Sequence, residues 1–543
     1  MNNENKLLTI WQGDSCTRLR VTGQPMLLDV LREQGMALSA PCGGDGRCGR
    51  CLVRVKGGVS APCDDEMDFP GVGRSDEDGF VTRLACRARL TGDCEVRLSA
   101  EISRHKLSSD GGQTAAFPNV PFAVAVDLGT TTIGLRAVDV SDGTVIAQAC
   151  ELNDQRVCGA DVMTRIAYCA RPDGVDTLHR LVSSQITRMI LRMSGGCSPE
   201  IITVAGNTVM LHLLAGIDPS YLGKAPYRTA ERFGQWYGAE RLGLPADAWL
   251  LPCVGGYTGG DLTAALLALT SPRYGGKQEQ DGLALCDLGT NGEMALMQDG
   301  RWLVTSSAAG PALEGGGISC GSGAVSGAVT AVSLSDDNAR YALTSPEDDR
   351  VIPIELRTVN DAPPRSLTGA ALVSLTALLL REGKILPNGR MIARYWQIDD
   401  RTEGQTDAPI RYTQADVRQL QLAKGAVAAA FRRLCEEAKC VSDEKCSMDC
   451  LHIDLHMTGG LGCHIPTSDA LDIGLVCDMK SGMTVSFVPN LALEGAVLCL
   501  RKEQRQRAAD IASRSRELEL SGDGRFDELF VSCMRLGEPD DDY

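Results

Sequence analysis

The chain of 543 residues carries 54 basic and 70 acidic side chains, a formal charge of −16, and is 43% hydrophobic and 23% charged. At about 150 residues per domain the length calls for three or four folding units; no window nears the roughly 18 unbroken apolar residues that span a bilayer, and the acidic balance disfavours nucleic acid and anionic lipid as partners. Met1 to Lys6 has no basic segment feeding a long apolar run, so a cytoplasmic protein is expected, and in that compartment the 22 cysteines are buried thiols or metal ligands, not a disulfide framework.

The first predicted elements are strands at Leu7 to Trp11 and Thr17 to Val21. The run Ala40-Pro41-Cys42-Gly43-Gly44-Asp45-Gly46-Arg47-Cys48-Gly49-Arg50-Cys51 follows, then a strand at Leu52 to Val55 and a fourth thiol in Arg83-Leu84-Ala85-Cys86-Arg87. A loop that wraps a compact inorganic cluster must turn its amides toward the sulfides and take φ > 0 at several positions, which glycine does without a Cβ penalty. Five residues separate Cys42 from Cys48, two separate Cys48 from Cys51, and 34 precede Cys86. A structural zinc site is the alternative for such thiols, but its usual pair of CxxC motifs is missing. The spacing resembles that of the adrenodoxin-like ferredoxins, which implies a 2Fe-2S cluster held by Cys42, Cys48, Cys51 and Cys86. Cys16, Cys63 and Cys94 fall outside the pattern.

Between Ser99 and Pro121 the sequence turns small and polar without helical or strand period, as a connector does. Phe122 to Val126 then reads as a buried strand running into Asp127-Leu128-Gly129-Thr130-Thr131-Thr132 and a second strand, with Asp142-Gly143 at the next turn. The same grammar returns 160 residues later as Leu283 to Cys286, Asp287-Leu288-Gly289-Thr290-Asn291-Gly292-Glu293 and Asp299-Gly300. One Asp-x-Gly-Thr is an ordinary β-turn; two, each at the end of an apolar strand and each followed by a hairpin, read as an internal duplication. Such turns let backbone N–H groups and hydroxyls approach phosphate oxygens, while the two aspartates hold magnesium through its waters.

The helix predicted from Thr413, with Asp416 completing a capping box, carries the stripe Val417, Leu420, Val427, Phe431 and Leu434. Beyond it, Leu455 to Thr458 reads as a strand ending in Gly459-Gly460, where a nucleoside can lie against bare backbone. Cys435, Cys440, Cys446 and Cys450 precede His452, His456, Cys463 and His464 at gaps that match no common metal site. His452, Asp454 and His456 are read as the polar face of a strand whose other face is Ile453, Leu455 and Met457.

The order of these motifs resembles the phosphate-1, phosphate-2 and adenosine motifs of the acetate and sugar kinase, heat-shock chaperone and actin (ASKHA) superfamily. The resemblance implies two ribonuclease H-like α/β halves around a Mg-ATP cleft. Asp127 and Asp287 are then the catalytic, magnesium-organising residues, and Gly129, Thr130, Thr131, Thr132, Gly289, Thr290, Asn291, Gly292, Glu293, Gly459 and Gly460 hold the nucleotide. The expected organisation is an α+β, β-grasp ferredoxin domain over 1–100, a linker over 101–120, a first ASKHA half over 121–275 and a second over 276–543. A ferredoxin joined to this ATPase resembles the reductive activators of corrinoid proteins, and the runs Cys158 to Ile166, Gly206 to Leu214 and Ala308 to Ile318 resemble them too. That family implies ATP-dependent return of an inactive Co(II) corrinoid protein to Co(I), a low-potential electron donor and a homodimer. Two other readings stand beside it. One is a redox-gated ATP switch. The other is a small-molecule kinase with a redox module, for which Asp261 in Thr258-Gly259-Gly260-Asp261 is the candidate base.

Overall fold

A computed structural model describes all residues except 1–4, 13–14, 34–37, 39–50, 68, 70–71, 77, 99–116, 118–119, 226, 273–275, 277, 324, 337, 402–408, 442–451, 460–464, 477–482, 489 and 538–543. Among the described residues the strands form four sheets. Cys42, Cys48, Gly460, nearly all of the expected linker, and Cys446, Cys450, Cys463 and His464 lie outside the described residues.

The N-terminal sheet has the order β2-β1-β5-β3-β4, built from β1 (Lys6–Gln12), β2 (Ser15–Val21), β3 (Leu52–Val59), β4 (Val81–Leu84) and β5 (Leu90–Leu98). β1 runs parallel to β5 and the other neighbours are antiparallel. Alternation sends Val53 and Val55 of β3 inward to meet Leu8, Ile10 and Val96, and the Leu27–Glu33 helix closes this core with Leu27, Leu28 and Leu31. This is the expected β-grasp arrangement. Beside it, Arg83 donates through Nε and Nη2 to the two oxygens of buried Glu66, each at 2.8 Å, and the Leu84 amide donates to Glu66 Oε1. A bidentate pair with a further amide donor on one of its oxygens tolerates this burial, and it fixes the strand end that leads to Cys86.

The second sheet has the order β10-β11-β9-β6-β7-β8, from β6 (Phe122–Leu128), β7 (Thr132–Asp139), β8 (Val145–Leu152), β9 (Ile202–Gly206), β10 (Gln235–Tyr237) and β11 (Ala248–Leu250). Here β6, β7 and β8 make an antiparallel meander, while β9 lies parallel to both β6 and β11. Strands β12 (Leu283–Leu288), β13 (Gly292–Gln298) and β14 (Arg301–Ser307) repeat the meander. A third sheet follows in the chain: β15 (Ala328–Leu334), β16 (Tyr341–Ser345), β17 (Asp348–Thr358), β18 (Ser366–Leu367), β19 (Tyr395–Asp400) and β20 (Ile410–Thr413). The chain then returns to the sheet of β12 with β21 (Ile453–Thr458), parallel to β12, and β22 (Met483–Phe487), parallel to β21; β23 (Ser515–Glu517) pairs with β14 at the other edge. The duplication read from the two Asp-Leu-Gly-Thr turns is thus a duplication of sheet topology, with the third sheet inserted in the second copy.

Both meanders use hairpin turns where Asp-Gly predicts them. Asp299 and Gly300 both take φ > 0, at 51° and 68°, and join Gln298 to Arg301 across a two-residue loop. The strands β6 and β12 are buried along almost their whole length because helices cover both faces. Between the two sheets lie the Gly260–Leu269 and Leu491–Leu498 helices, which share one core with Ala125, Ala205, Leu283, Leu285 and Ala295. Their crossing is close: a Cβ on Gly495 would sit 2.0 Å from the Ala264 carbonyl oxygen, so only glycine fits there. The helix predicted from Thr413 spans Gln414–Val441. Its capping box is present, with the Thr413 amide and hydroxyl donating to Asp416 at 2.9 and 2.7 Å.

Candidate functional site

β3 and β4 pair Leu52 with Leu84, and the Ala85 amide donates to the Cys51 carbonyl at 2.9 Å. That register brings the buried Cys51 and Cys86 sulfurs to 3.3 Å from one another. The Cys86 contact, acting against burial, lowers the Cys51 thiol to about 7, toward the thiolate that ligates metal. Two converging thiols at one strand end, one already biased to ionise, fit half of a four-cysteine cluster site.

The second site lies between the two meanders. Asp127 and Asp287 are the penultimate residues of β6 and β12, and each strand runs into a three-residue turn, Gly129-Thr130-Thr131 or Gly289-Thr290-Asn291. One cleft is lined by Asp127, Gly129, Thr130, Thr131, Thr132, Asp287, Gly289, Thr290, Asn291, Glu293 and Gly459. Gly292 is instead packed behind it, where an added Cβ would meet Val427 and Ser307. The Thr131 and Thr290 hydroxyls, 159 residues apart in sequence, lie 3.2 Å from each other.

Further residues complete the cleft, and periodicity gave no sign of them. Asn490 Nδ2 donates to Asp127 Oδ2 at 2.6 Å, while its Oδ1 caps the Leu491–Leu498 helix. Asn207 does the same on the other side, donating to Thr130 Oγ1 at 3.1 Å and capping the Thr208–Leu214 helix through the Met210 amide. Both are legible as N-caps before apolar runs; their partners in the turns are not. Arg165, fully buried, donates to the Thr130 carbonyl at 2.6 Å and the Gly159 carbonyl at 3.0 Å, and so holds the first turn from behind. Glu314 accepts from Thr131 and Thr290 through the same oxygen, at 2.9 and 2.6 Å. Asp261, read from sequence as a kinase base, lines the same cleft.

Among the described residues the lining contains no Lys or Arg. Removed from water and facing one another, its carboxyls hold protons strongly. Burial, then the charges of Asp261, Asp127 and Glu314, lift Asp287 to about 8; burial lifts Asp261 to about 6. Burial also raises Asp127, against the Asn490 amide, and raises Glu293 well above its ordinary range. An acidic cluster without cations fits a divalent ion accompanying phosphates. Among the described residues no three acidic, His or Cys side chains converge on a common metal position. Gly459, at φ 97°, leaves open the space beside Asp287: a Cβ there would lie 2.4 Å from Asp287 Oδ1.

On β21, between β12 and β22, His456 Nδ1 lies 2.7 Å from the Ser486 hydroxyl and its Nε2 lies 3.2 Å from Asp454. Ile453, Leu455 and Met457 are buried on the opposite side, as read from sequence.

Comparison with known proteins agrees with this geometry. Residues 10–91 match the 2Fe-2S iron-sulfur cluster binding domain, residues 122–271 the RACo middle region, and residues 282–543 the C-terminal domain of RACo, the ASKHA domain. The chain belongs to the RACo family. The RACo family resemblance extends to whole proteins. The chain is 28% identical over 451 residues to the corrinoid activation enzyme RamQ of Eubacterium limosum, spanning 77% of this chain and 70% of that one. It is 25% identical over 390 residues to a [Co(II) methylated amine-specific corrinoid protein] reductase of Methanosarcina barkeri, spanning 65% of each. A solved reductive activator for a corrinoid, iron-sulfur protein shares the fold over 98% of both chains, with a TM-score of 0.65 and 23% identity. The chain therefore combines a 2Fe-2S domain with an ASKHA ATPase domain. No helix among the described residues is long and apolar enough to cross a membrane.

Proposed function

We propose that this chain is an ATP-dependent reductive activator, an enzyme that returns an inactive Co(II) corrinoid protein to Co(I) one electron at a time. The observation that carries the reading is the union, in one chain, of converging cluster thiols and a two-turn phosphate cleft in the RACo arrangement; the activities named for its relatives support the cobalt target. Cys42, Cys48, Cys51 and Cys86 hold the 2Fe-2S cluster, which supplies single electrons at low potential when bound. Plant-type clusters sit near about −400 mV, and each ~59 mV uphill costs a one-electron transfer tenfold in equilibrium constant. ATP makes up such a deficit by binding two conformations of the protein unequally.

In the ATPase cleft Asp127 and Asp287 organise magnesium through its waters. The turns at Gly129 to Thr132 and Gly289 to Glu293 hold the phosphates, Gly459 leaves room for the nucleoside, and Gly460, next to it in sequence, is assigned to the same motif. A cytoplasmic homodimer served by a low-potential donor completes the proposal.

The test is reduction of the purified chain, mixing with Co(II) corrinoid protein, and measurement of Co(I) absorbance with and without ATP. Co(I) accumulating only with ATP is the expected result, and its absence across methyltransferase corrinoid proteins defeats the reading. Cys48→Ala should abolish transfer while leaving ATP affinity unchanged by calorimetry.

A further inference from the structure

The cleft contains a carboxylate that holding a nucleotide does not call for. Glu314 stands on the turn Gly310-Pro311-Ala312-Leu313-Glu314-Gly315, and one of its oxygens receives both the Thr131 hydroxyl of the first meander and the Thr290 hydroxyl of the second. It is thus bonded at once to both turns that meet the phosphates. A negative group there repels a triphosphate, and its partial burial raises its proton affinity against the two threonine donors.

The turn that carries Glu314 is tightly placed. The Gly310 amide donates to the Thr290 carbonyl at 3.0 Å, and Gly310 and Gly315 take φ 77° and 78°. A Cβ on Gly315 would lie 2.3 Å from the Ser322 carbonyl oxygen. Such a site favours a group whose position matters to less than an ångström. The other acids of the cleft are engaged differently: Asp127 accepts from Asn490, Asp261 from the Leu262 amide, and buried Glu293 shares a hydrogen bond with Asp261. Glu314 is the one hydrogen-bonded to hydroxyls of both turns.

Resting on the ATPase reading, we propose that Glu314 is the general base of ATP hydrolysis. With ATP bound, Thr131 and Thr290 turn their hydroxyls to phosphate oxygens, and the freed Glu314 oxygen accepts a hydrogen bond from water. The water oxygen forms the bond to the terminal phosphorus, its proton passes to Glu314, and the bond from that phosphorus to the bridging oxygen breaks, its electron pair leaving on ADP.

Phosphate release by the full chain with saturating Mg-ATP tests this. In Glu314→Gln the amide oxygen still accepts from both threonines but cannot take a proton, so turnover should fall at least about 100-fold, within the range for a lost general base, with ATP affinity kept within about threefold. In Glu314→Ala, added formate should restore part of the turnover while leaving the parent unaffected; a purely structural glutamate has no such rescue. Turnover of Glu314→Gln within about threefold of the parent, loss of its ATP binding, or a Glu314→Ala enzyme indifferent to formate overturns the proposal. Formate rescue keeps the proposal testable should the glutamine variant fold poorly. A parent chain that releases no phosphate defeats the ATPase reading itself, whereas a hydrolysing parent with a hydrolysing Glu314→Gln defeats only the role of Glu314.

Discussion

The two Asp-Leu-Gly-Thr turns are near-copies in sequence and occupy equivalent places in two copies of one sheet topology, yet they are supported by different physics. The first is held by polar side chains that reach it from behind: Arg165 and Asn207 at Thr130, Asn153 at the Gly129 carbonyl, Asn490 at Asp127. The second leans on backbone and on close packing, through the Gly310 amide at the Thr290 carbonyl and Gly459 against Asp287. The acids follow suit. Asp127 has an amide donor that offsets part of its burial, whereas for Asp287 every cause named raises its proton affinity, and it reaches about 8. A repeated motif therefore marks where ligand meets protein, while each copy is secured by whatever its own half supplies.

The comparison breaks most severely at Arg165. In Arg165→Ala the carbonyls of Thr130 and Gly159 and the Gln155 side chain lose a buried donor, and a cavity opens in the first half. Unsatisfied buried acceptors and lost volume together should cost about 3–5 kcal/mol, seen as a lower denaturant midpoint and weaker ATP binding; an unchanged midpoint would mean the turn holds itself. The glycines give a smaller and more selective contrast. A Cβ on Gly129 would lie 2.6 Å from the Thr132 carbonyl oxygen, but one on Gly289 meets nothing nearer than 3.6 Å. Gly129→Ala should therefore lose about 2–3 kcal/mol, as overpacked sites do, and Gly289→Ala less than about 0.5 kcal/mol, as at unconstrained positions. Equal losses in the two would erase the asymmetry.

Much of this was legible in the chain. The thiol spacing, the doubled strand-turn-strand and the capping box of Thr413 and Asp416 are local patterns, and the ferredoxin sheet, the two meanders and the long helix follow them. What was hidden depends on contacts across hundreds of residues. Asn490 reaches Asp127 over 363 positions and Glu314 reaches Thr131 over 183; each side chain looks locally like a helix cap or a loop acid. Asp261 was visible, but only as the possible base of a kinase, because nothing nearby in sequence reveals that its helix packs between the two sheets.

That placement sets the last and smallest contrast. Asp261 shares the cleft with both aspartates, and burial raises it from 3.8 to about 6. A carboxyl whose folded pKa exceeds its unfolded value keeps its proton in the folded state at pH values where the unfolded chain has released it. The associated stability is fully present below about pH 4 and is lost as pH rises through about 6. At ~1.4 kcal/mol per pKa unit, and with part of the strain passing to its neighbour Glu293, Asp261→Asn should stabilise the protein by about 1–2 kcal/mol at pH 8 in EDTA. The gain should shrink to a small remainder at pH 4, where the folded carboxyl is protonated and the unfolded one nearly half so. Adding magnesium at pH 8 should narrow it, since the cation relieves the same repulsion in the parent. Denaturant midpoints of the two proteins at pH 4 and 8 decide the matter: a gain of equal size at both would trace it to packing, and the charge imbalance between the two turns would then have no bearing on the stability of the cleft.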